Sequence, residues 1–561
     1  MDHNLLIGGA AGQGMDTLSS LFERYLMRQG YQVFVSKDYM SRVRGGHNFI
    51  QIRFSDQPLT SHRYSLDLIA AMDETTIREH LPRLNPEGYA LCDEKLQEEK
   101  GQVLGFPLEA SAKEAGNPKT FTTAFLGLLV KWYGLDQESI EGMILEAFQD
   151  RSPEANLKAY QLGAGLTETR IDLPQASGKD QILINGNEAI ALGAIAAGVT
   201  FYSAYPMTPS TSIMNYLASK QSEAGIVVEQ AEDEIAAINM AIGANFTGIR
   251  AMTGTSGGGF SLMTEALGLA GITETPLVVA NVQRPGPATG FPTRTEQSDL
   301  SFMLTASHGE IPRMITALRN PRESFYQTAR AFNLSEKYQI PVILLSDQYL
   351  ADYSVTTDVF DYSHITIDRY IDEDSEYDHE TPYKRYALTE NGISPRLIPG
   401  KVADQIVLAD SDEHDEAGHI TESASIRIQM MKKRMGKMEL LKDEIEEPWH
   451  WGTDQPEVLL LAWGSVAGPL QEALHLLQKE KDFPEVAALV FGDLWPLPVE
   501  KLKKLSASAK SIINIEQNYT GQLAKLLRQE TGIFCQHSYL KYDGRQMTPE
   551  EIVEALKKEV L

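Results

Sequence analysis

The hydrophobic residues of this chain occur mostly in short runs, and segments with helical spacing separate one run from the next. Near the N-terminus an apolar run at 5–7 precedes a glycine-rich turn, a helical stretch at 16–29 and a second apolar run at 31–36. A strand, a helix and a further strand in this order are typical of a βαβ unit. We therefore predict a parallel sheet within residues 1–175.

The same alternation of strands and helices returns twice along the chain. A polar stretch at 177–179 has no periodicity and predicts a linker, after which residues 180–367 form a second α/β region. Residues 368–455 read as an acidic linker and a bridging helix, and residues 456–561 repeat the alternation. The predicted fold class is α/β, with several domains and mostly parallel sheets.

The strands predicted in these later regions are short, and most are apolar. They lie at 181–184, 201–205, 249–253, 276–282, 341–346, 458–462, 486–490 and 512–515. Helices are predicted at 423–447, 469–479, 499–505 and 523–530, and a final helix is predicted to start with Thr548 as its cap.

Charge excludes several classes of partner. The 561 residues include 50 Lys and Arg against 77 Asp and Glu, which gives a net charge of 50 minus 77, or −27. Such a field repels nucleic acid and anionic lipid, so neither is expected as a partner. Between 368 and 416, 14 acidic residues stand against 5 basic ones, and we interpret this segment as a solvated, irregular connection.

Cysteine usage and the N-terminus indicate the compartment. Cys92 and Cys535 are the only cysteines, so neither a disulfide framework nor an all-protein zinc or iron–sulfur site is expected in this chain. The N-terminus does not resemble a secretory signal, and no stretch reads as a membrane span. We therefore expect a cytoplasmic protein that holds no metal with its own residues.

Two features near the N-terminus could bind an anion. In the glycine turn at 8–14, Gly12 and Gly14 leave backbone N–H groups and a helix N-terminus open to a phosphate. Tight packing of strand on helix would need the same glycines, and a nicotinamide site is disfavoured because the turn lacks GxGxxG. Lys37, Arg44 and Gly45, with Arg42 and His47 nearby, form a basic island, or else an ordinary surface loop.

The segment YPMTPST at 205–211 leaves a strand and enters a helix that is predicted to begin near Ser210. Its two prolines restrict the backbone, and its hydroxyl groups face the helix N-terminus, an arrangement suited to a carboxylate ligand. Taken alone, the segment could equally be a well-capped helix start.

These residues resemble the YPxTPS signature of the 2-oxoacid:ferredoxin oxidoreductases, thiamine-diphosphate enzymes that decarboxylate 2-oxoacids and form acyl-CoA. The stretches EQAE at 229–232, TGTSGGG at 253–259 and QRPGPATG at 283–290 agree with the alpha subunit of that family. The glycine turn and the Arg44-Gly45-Gly46 motif resemble its gamma domain, fused ahead of the alpha subunit as in 2-oxoglutarate-type members.

The resemblance implies a domain order and a set of partners. Residues 1–175 would be the gamma domain, 180–367 the pyrimidine-binding domain and 456–561 a domain of the transketolase C-terminal type. The GDG motif that holds Mg²⁺-diphosphate is missing, since Gly492-Asp493 is followed by Leu494. A beta subunit is therefore expected to carry Mg²⁺, the diphosphate site and a [4Fe-4S] cluster, with ferredoxin as acceptor and a dimer of alpha-beta heterodimers as the assembly.

Glu232 is the expected acid for the cofactor. It lies one residue from an apolar face that includes Ala231, Ile235 and Ile238, so its carboxyl is predicted at the edge of a buried surface. In the family a glutamate activates thiamine diphosphate from such a place. An exposed helix glutamate is the alternative, and the neighbouring Glu234 is expected to be solvated.

Other roles follow from the resemblance. Arg284 and Thr208 would bind the C1 carboxylate of the substrate, and Arg294 is a candidate for a second carboxylate. The cofactor would contact residues of the two glycine- or proline-rich segments, namely Tyr205, Pro206, Gly257 and Gly258. Coenzyme A would be held by Gly12, Gly14, Lys37, Arg44 and Gly45.

The expected reaction is oxidative decarboxylation of a 2-oxoacid, with 2-oxoglutarate giving succinyl-CoA as the first choice. Pyruvate, branched-chain 2-oxoacids and indolepyruvate remain alternatives. Two readings of other classes are a nicotinamide-dependent dehydrogenase that uses the first glycine turn and a noncatalytic scaffold that keeps the fold without the chemistry.

Overall fold

The computed structural model describes residues 1–10, 12–40, 46–97, 101–171, 173–372, 380–480 and 483–560. The chain divides into two compact units. The first comprises Met1–Ile184, Asp352–Val359 and Thr548–Glu550, and the second comprises Asn185–Ala351, Phe360–Met547 and the residues from Glu551 onward.

The helices and strands alternate along the whole chain. Up to residue 185 they are β1 (Asp2–Ala10), α1 (Met15–Arg28), β2 (Gln32–Asp38), β3 (His47–Ser55), β4 (Leu66–Ala71), α2 (Glu74–His80), β5 (Leu84–Asp93), β6 (Val103–Phe106), α3 (Leu108–Glu114), α4 (Phe121–Trp132), α5 (Gln137–Ala147), α6 (Pro153–Ala164) and β7 (Gln181–Asn185). Up to residue 441 they continue with α7 (Gly186–Ala196), β8 (Phe201–Ala204), α8 (Thr211–Ala224), β9 (Val227–Gln230), α9 (Glu234–Phe246), β10 (Ala251–Thr255), α10 (Gly257–Phe260), α11 (Thr264–Ile272), β11 (Leu277–Gln283), α12 (Leu300–Thr305), β12 (Met314–Ala317), α13 (Pro321–Tyr338), β13 (Pro341–Asp347), α14 (Gln348–Asp352), β14 (Ser354–Asp358) and α15 (Ala424–Leu441). The remainder are β15 (Trp449–Gly452), β16 (Val458–Trp463), α16 (Ala467–Leu477), β17 (Val486–Phe491), β18 (Asp493–Trp495), α17 (Glu500–Ser506), β19 (Ser511–Glu516), α18 (Gln522–Thr531), β20 (His537–Leu540) and α19 (Pro549–Val560).

The sheet of the first unit is mixed rather than parallel. Its strand order is β6-β5-β4-β1-β3-β2-β14-β7, and β3 runs antiparallel to both of its neighbours. The prediction of a parallel sheet holds for β1, β4, β5 and β6, but it was wrong for β3, which lies antiparallel between β1 and β2. Only residues 39–46 separate β2 from β3 in the sequence, whereas a parallel neighbour needs a crossover of a dozen or more residues.

The core of the first unit lies on both faces of this sheet. Leu5 and Ile7 of β1 pack with Phe22 of α1, whereas the alternating Leu6 packs on the opposite face with Ile77 of α2. Helices α4 and α6 approach so closely that a Cβ at Gly127 would lie 2.0 Å from the Tyr160 carbonyl oxygen. A side chain at Gly127 would therefore push the two helices apart.

The second unit contains two sheets that are parallel apart from one strand at an edge of each. The first has the order β18-β12-β13-β11-β10-β8-β9, and the second has the order β15-β17-β16-β19-β20. Strands β11 and β13 are buried throughout, as expected for inner parallel strands that are covered on both faces. The strands predicted after residue 180 are all present, although β10 starts two residues later than predicted.

The acidic segment is not simply a solvated connection. Tyr383, Arg385, Tyr386, Arg396 and His414 are all buried within the second unit. Arg396 donates hydrogen bonds to Glu336 and to the Asn245 carbonyl, so the segment is fastened to the second unit through its few basic residues. Counting charges missed this because these cations and rings are sparse within an otherwise polar stretch.

A buried ion cluster fixes α15 against the same unit. Glu274 is fully buried and accepts hydrogen bonds of 2.5 Å from Lys433 and from Lys437. Arg385 donates to the Glu274 carbonyl oxygen at 2.7 Å. Burial lowers the pKa of Lys433 to about 7, against the opposing effect of Glu274. One carboxylate thus balances two enclosed lysines.

Replacing Glu274 with Gln is expected to lower the free energy of unfolding by about 3–5 kcal/mol, because it leaves two buried ammonium groups without a counter-charge. Urea unfolding measures this loss, and the loss should shrink as rising pH neutralises the lysines. Glu439→Gln is the control, since Glu439 is exposed and pairs with exposed Lys442. Equal stability of the two variants would contradict the proposed role of the cluster.

Candidate active site

The carboxyl ends of β8, β10, β11 and β13 meet at one edge of the seven-stranded sheet. Open parallel sheets bind ligands at this edge, because loops and helix N-termini converge there. The segments that follow β8, β10 and β11 are the same three that carry the sequence motifs at 205–211, 253–259 and 283–290.

The segment after β8 exposes two of the predicted site residues. Tyr205 is 40% exposed and Thr208 is exposed, while Pro206 is half-buried. The peptide bond between Thr208 and Pro209 is cis, and α8 begins at Thr211, as predicted to within one residue. The Ser210 hydroxyl donates to the Met207 carbonyl at 2.7 Å and does not cap the helix.

The structure brings Arg284 and Thr208 together. The Arg284 Nη1 donates to the Thr208 carbonyl oxygen at 2.7 Å. In the described part of the chain no carboxylate lies within 4.0 Å of the Arg284 guanidinium, so it is not the structural ion pair that an arginine often forms. Burial lowers the pKa of Arg284, and Asp299 nearby opposes that shift. A guanidinium with unused donors at this edge can bind an anionic ligand.

The structure contradicts the burial predicted for Glu232. This residue is exposed and precedes α9, and Ile235 on the supposed buried face is 50% exposed. Asp233 caps the helix by accepting a hydrogen bond from the Ala236 amide at 2.7 Å, so α9 starts at Glu234. Ile238 and Ile242 are buried as predicted, but Glu234 is buried where Ile235 was expected, so the buried face is rotated toward Glu234.

Glu234, which was expected to be solvated, is instead a buried carboxyl. Its side chain is 3% exposed, and Oε1 is buried without a hydrogen-bond partner. The signal for it was present in the sequence, because an Asp cap followed by Glu234, Ala237, Ile238 and Ala241 places these four residues on one helix face. A buried carboxyl oxygen without a partner is a costly feature that a bound donor would satisfy.

Two of the glycines at 257–259 are required by the chain itself. A Cβ at Gly257 would lie 2.5 Å from the Asp299 carboxyl, and one at Gly259 would lie 2.2 Å from the Thr255 hydroxyl and 2.5 Å from Glu234 Oε1. Gly258 has only the Ala288 carbonyl near its Cβ position, at 3.8 Å. Whether Gly257 and Gly258 contact a cofactor remains a prediction.

Several other polar atoms near these strand ends are buried and unpaired. They belong to Tyr202, Thr253, Ser256, Asn281 and Ser346. Native structures leave few such atoms without a partner, so a group of them at a ligand-binding edge points to a bound molecule or to ordered water.

The more distant candidates have different surroundings. The backbone amide of Arg294 donates to the Phe291 carbonyl at 3.1 Å, and its side-chain stem lies beside Gly544. Asp493, in the motif closest to GDG, accepts two hydrogen bonds from Arg330 and one from the Thr316 hydroxyl. Its carboxylate is thus used within the protein. Across the described ranges, no three His, Cys, Asp or Glu side chains come together as metal ligands.

Comparison with known proteins identifies the family. Residues 192–433 match the family described as "Pyruvate flavodoxin/ferredoxin oxidoreductase, thiamine diP-bdg", and residues 4–166 match "Pyruvate ferredoxin/flavodoxin oxidoreductase". The alpha subunit of a 2-oxoacid:ferredoxin oxidoreductase from Sulfolobus sp is 34% identical, over 99% of this chain and 96% of the relative. This chain belongs to the 2-oxoacid:ferredoxin oxidoreductases.

Two further relatives cover different shares of the chain. The 2-oxoglutarate synthase subunit KorA of Methanothermobacter marburgensis is 30% identical over 67% of this chain and 98% of its own length. A solved 2-oxoglutarate:ferredoxin oxidoreductase from Magnetococcus marinus, with 2-oxoglutarate, coenzyme A and succinyl-CoA bound, has a TM-score of 0.92. The two sequences are 32% identical, and the match covers 100% of each chain. The α/β fold, the thiamine-diphosphate-binding domain and the oxidoreductase class are thereby established.

The first unit of this oxidoreductase subunit contains the remaining predicted residues. Gly12 and Gly14 have φ angles of 90° and 86°, the left-handed conformation that favours glycine, and Gly14 precedes α1 without a side-chain cap. Lys37 is half-buried on β2, where its charge opposes the rise that burial causes in the pKa of Glu23. Arg44 and Gly45, and also Arg42, lie outside the described residues.

His47 of the same motif is buried against His80. Their Nε2 atoms lie 2.7 Å apart, and His80 Nδ1 lies 3.2 Å from the Arg83 guanidinium. Burial lowers the pKa of His80 to about 3, and Arg83 and His47 add to that shift. This imidazole is therefore neutral near pH 7.

No helix within the described ranges is sufficiently long and apolar to cross a bilayer.

Proposed function

We propose that this oxidoreductase subunit takes part in the oxidation of 2-oxoglutarate to succinyl-CoA, with thiamine diphosphate, coenzyme A and ferredoxin. The main support is the full-length similarity, with a TM-score of 0.92, to the protein whose structure holds 2-oxoglutarate, coenzyme A and succinyl-CoA. The relatives named 2-oxoglutarate synthase support the same substrate.

The residues at the sheet edge fit the pyrimidine half of thiamine diphosphate. Glu234 Oε1 is a buried acceptor without a donor, and a ring nitrogen of the cofactor would supply one. Thiamine diphosphate, when bound, supplies the electron sink that accepts the electron pair released with CO₂. We propose that Glu234, rather than the exposed Glu232, holds and returns the proton that this activation requires.

Substrate binding is assigned to Arg284 and Thr208. The guanidinium of Arg284 would donate hydrogen bonds to the C1 carboxylate through the N–H groups that it does not use for Thr208. Thr208 is exposed and lies on the segment to which Arg284 is hydrogen-bonded. The second carboxylate of 2-oxoglutarate is assigned to Arg294, ten residues along the same loop.

Apolar side chains that are exposed on β9, on α9 and in the loops after α10 and β11 support a protein partner beside the site. Val227 is 58% exposed, Ile235 50%, Met240 42%, Leu262 51% and Phe291 57%. Within α9 the single charged residue, Glu234, is buried, which is unusual in a chain of net charge −27. We propose that a beta subunit with Mg²⁺, the diphosphate site and a [4Fe-4S] cluster covers this face, in a dimer of alpha-beta heterodimers.

Coenzyme A is assigned to the first unit. The backbone of Gly12 and Gly14 and the charge of Lys37 suit a phosphate group, with Arg44 and Gly45 of the adjoining motif as further candidates. Reduced clusters of the beta subunit would pass single electrons on to ferredoxin.

Substrate choice is tested by comparing kcat/KM for 2-oxoglutarate, pyruvate, a branched-chain 2-oxoacid and indolepyruvate in the complex of this chain with its beta subunit. We expect 2-oxoglutarate to be preferred, and Arg294→Gln to lower its kcat/KM about 10-fold while leaving pyruvate within about 2-fold, because only 2-oxoglutarate has a second carboxylate. Equal losses for both substrates would remove Arg294 from the proposal, and a preference for pyruvate would replace the substrate.

A further inference from the structure

The carboxyl of Asp299 lies within the candidate site, close to Arg284, although no motif marks it. Its Oδ2 accepts a hydrogen bond from Asn281 Nδ2 at 3.0 Å, and its backbone amide donates to Gln283 Oε1 at 3.0 Å. Because a Cβ at Gly257 would lie 2.5–2.6 Å from both carboxyl oxygens, the carboxyl rests against the backbone of α10. The end of β11 and the start of α10 thus enclose it on two sides.

The last domain holds the backbone on both sides of Asp299 through the Gln522 side chain and the Trp463 carbonyl. Gln522 donates to the Ser298 carbonyl at 2.7 Å and accepts from the Ser301 amide at 2.8 Å, so it brackets Asp299 on both sides along the chain. Gln297 donates to the Trp463 carbonyl at 2.9 Å. A residue fixed by so many neutral contacts is placed for more than local helix capping, and Asp299 indeed makes no side-chain cap of α12.

Asp299 and Arg284 interact through space without forming an ion pair. Burial raises the pKa of the Asp299 carboxyl, the Asn281 hydrogen bond and the charge of Arg284 oppose that rise, and the net shift is upward. Glu296 is the other charged group that faces Asp299, and burial raises the pKa of Glu296 to about 6. Asn281 contributes a neutral donor, and α10 contributes only backbone.

We propose that Asp299 is a positioning residue whose carboxylate partly offsets the positive charge of Arg284, so that Asp299 takes up one proton when a substrate carboxylate binds. This inference rests on the proposed binding of the substrate carboxylate by Arg284. Before substrate binds, the Asp299 carboxylate balances the guanidinium. When a carboxylate arrives, two anions face one cation, and protonation of Asp299 from solvent restores the balance. The proton returns to solvent when the carboxyl group leaves as CO₂.

The coupling predicts a pH dependence of substrate binding. Proton uptake favours binding below the pKa that Asp299 has in the free enzyme, so KM rises with pH above that value and levels off above the pKa in the complex. The turnover number kcat is not expected to follow the same curve, because Asp299 does not touch the reacting carbon in this proposal.

The test uses the holo complex of this chain with its beta subunit, and measures KM and kcat for viologen reduction between pH 5.5 and 8.5. Wild type is expected to show a rise in KM of at least about 3-fold across part of this range. Asp299→Asn, which keeps the shape and the bond to Asn281, should give a lower and flat KM with kcat within about 3-fold. Glu296→Gln is the matched control and should retain the wild-type profile.

Several outcomes would overturn the inference. The first is a dependence of KM on pH in Asp299→Asn that equals that of wild type. The second is a KM that does not vary with pH in Glu296→Gln instead. The third is a loss of kcat in Asp299→Asn with unchanged KM. If Asp299→Asn does not assemble, calorimetry on wild type decides. Binding of 2-hydroxyglutarate, which cannot be decarboxylated, in buffers of different ionisation enthalpy should show proton uptake, and none would refute the coupling.

Failure of the proposed function gives a different result. In that case the wild-type complex does not reduce viologen with any 2-oxoacid at any pH. Failure of this inference instead leaves the wild-type complex active, and only the expected changes in the pH profiles are missing. The calorimetric arm needs no turnover, so it tests the coupling of carboxylate binding to protonation in either situation.

Discussion

Glu234→Gln is expected to lower the rate of 2-oxoacid oxidation by about 10²- to 10⁴-fold, the usual contribution of a positioned acid–base group. The carboxyl is 3% exposed, its Oε1 has no partner, and it lies against Gly259 at the carboxyl edge of the sheet. Gln keeps the volume and can still accept a hydrogen bond, but it cannot take up and return a proton. The measurement is anaerobic viologen reduction by the reconstituted complex.

Glu232→Gln is the matched control for this experiment. Glu232 is two residues away and exposed, so we expect its replacement to change the rate by less than about 3-fold. The thermal unfolding of both variants is compared with wild type, to separate chemistry from folding. An inactive Glu232→Gln protein beside an active Glu234→Gln protein would restore the original sequence prediction and refute the assignment made from the structure.

Arg284→Ala is expected to lower kcat/KM for the 2-oxoacid by about 30- to 1,000-fold, which corresponds to about 2–4 kcal/mol for the loss of a partly desolvated charge partner. Arg284→Lys keeps the positive charge but loses the planar pair of donors, so an intermediate loss is expected. Steady-state kinetics with saturating coenzyme A provides the measurement.

Arg528→Ala serves as the control, because Arg528 is an exposed cation on α18 whose guanidinium lies 5.2 Å from the centroid of the Phe534 ring. Its kcat/KM should stay within about 2-fold of wild type. If Arg284→Ala shows full kcat/KM and only a lower melting temperature, Arg284 is a structural residue and the substrate carboxylate binds elsewhere.

Local patterns predicted most of the secondary structure. The strands of the last domain were placed to within one residue at β16, β17 and β19, because these buried strands are continuous apolar runs between polar turns. Pairing between strands was predicted less well. That β3 lies between β1 and β2 depends on which distant edges meet, and a single apolar run does not carry that information.

The residues of the candidate site were likewise predicted only in part. The motifs led to Thr208 and Arg284, which the structure joins by a hydrogen bond. The register of α9 was misjudged because Ile235 was counted as a buried position, although its side chain points to the surface. Glu234 and Asp299 became visible only when burial, missing partners and contacts to glycines could be read from the fold.

The acidic segment shows why net charge is a poor guide to burial. Its acidic residues are numerous, but Arg385, Arg396 and His414 among them are buried, and Arg385 and Arg396 form hydrogen bonds with other parts of the second unit. Such contacts depend on which buried acceptors, such as the Glu274 carbonyl, the folded second unit presents. Composition averages over these few residues.

The most direct test of the central claim is reduction of methyl viologen by the complex of this chain and its beta subunit, with the cluster and thiamine diphosphate verified, on addition of 2-oxoglutarate and coenzyme A. We expect reduction that requires both compounds and that is lost in Glu234→Gln but retained in Glu232→Gln. The proposed function and the role of Glu234 would be contradicted by a verified complex that reduces no viologen with any 2-oxoacid, or by one whose activity does not change in Glu234→Gln.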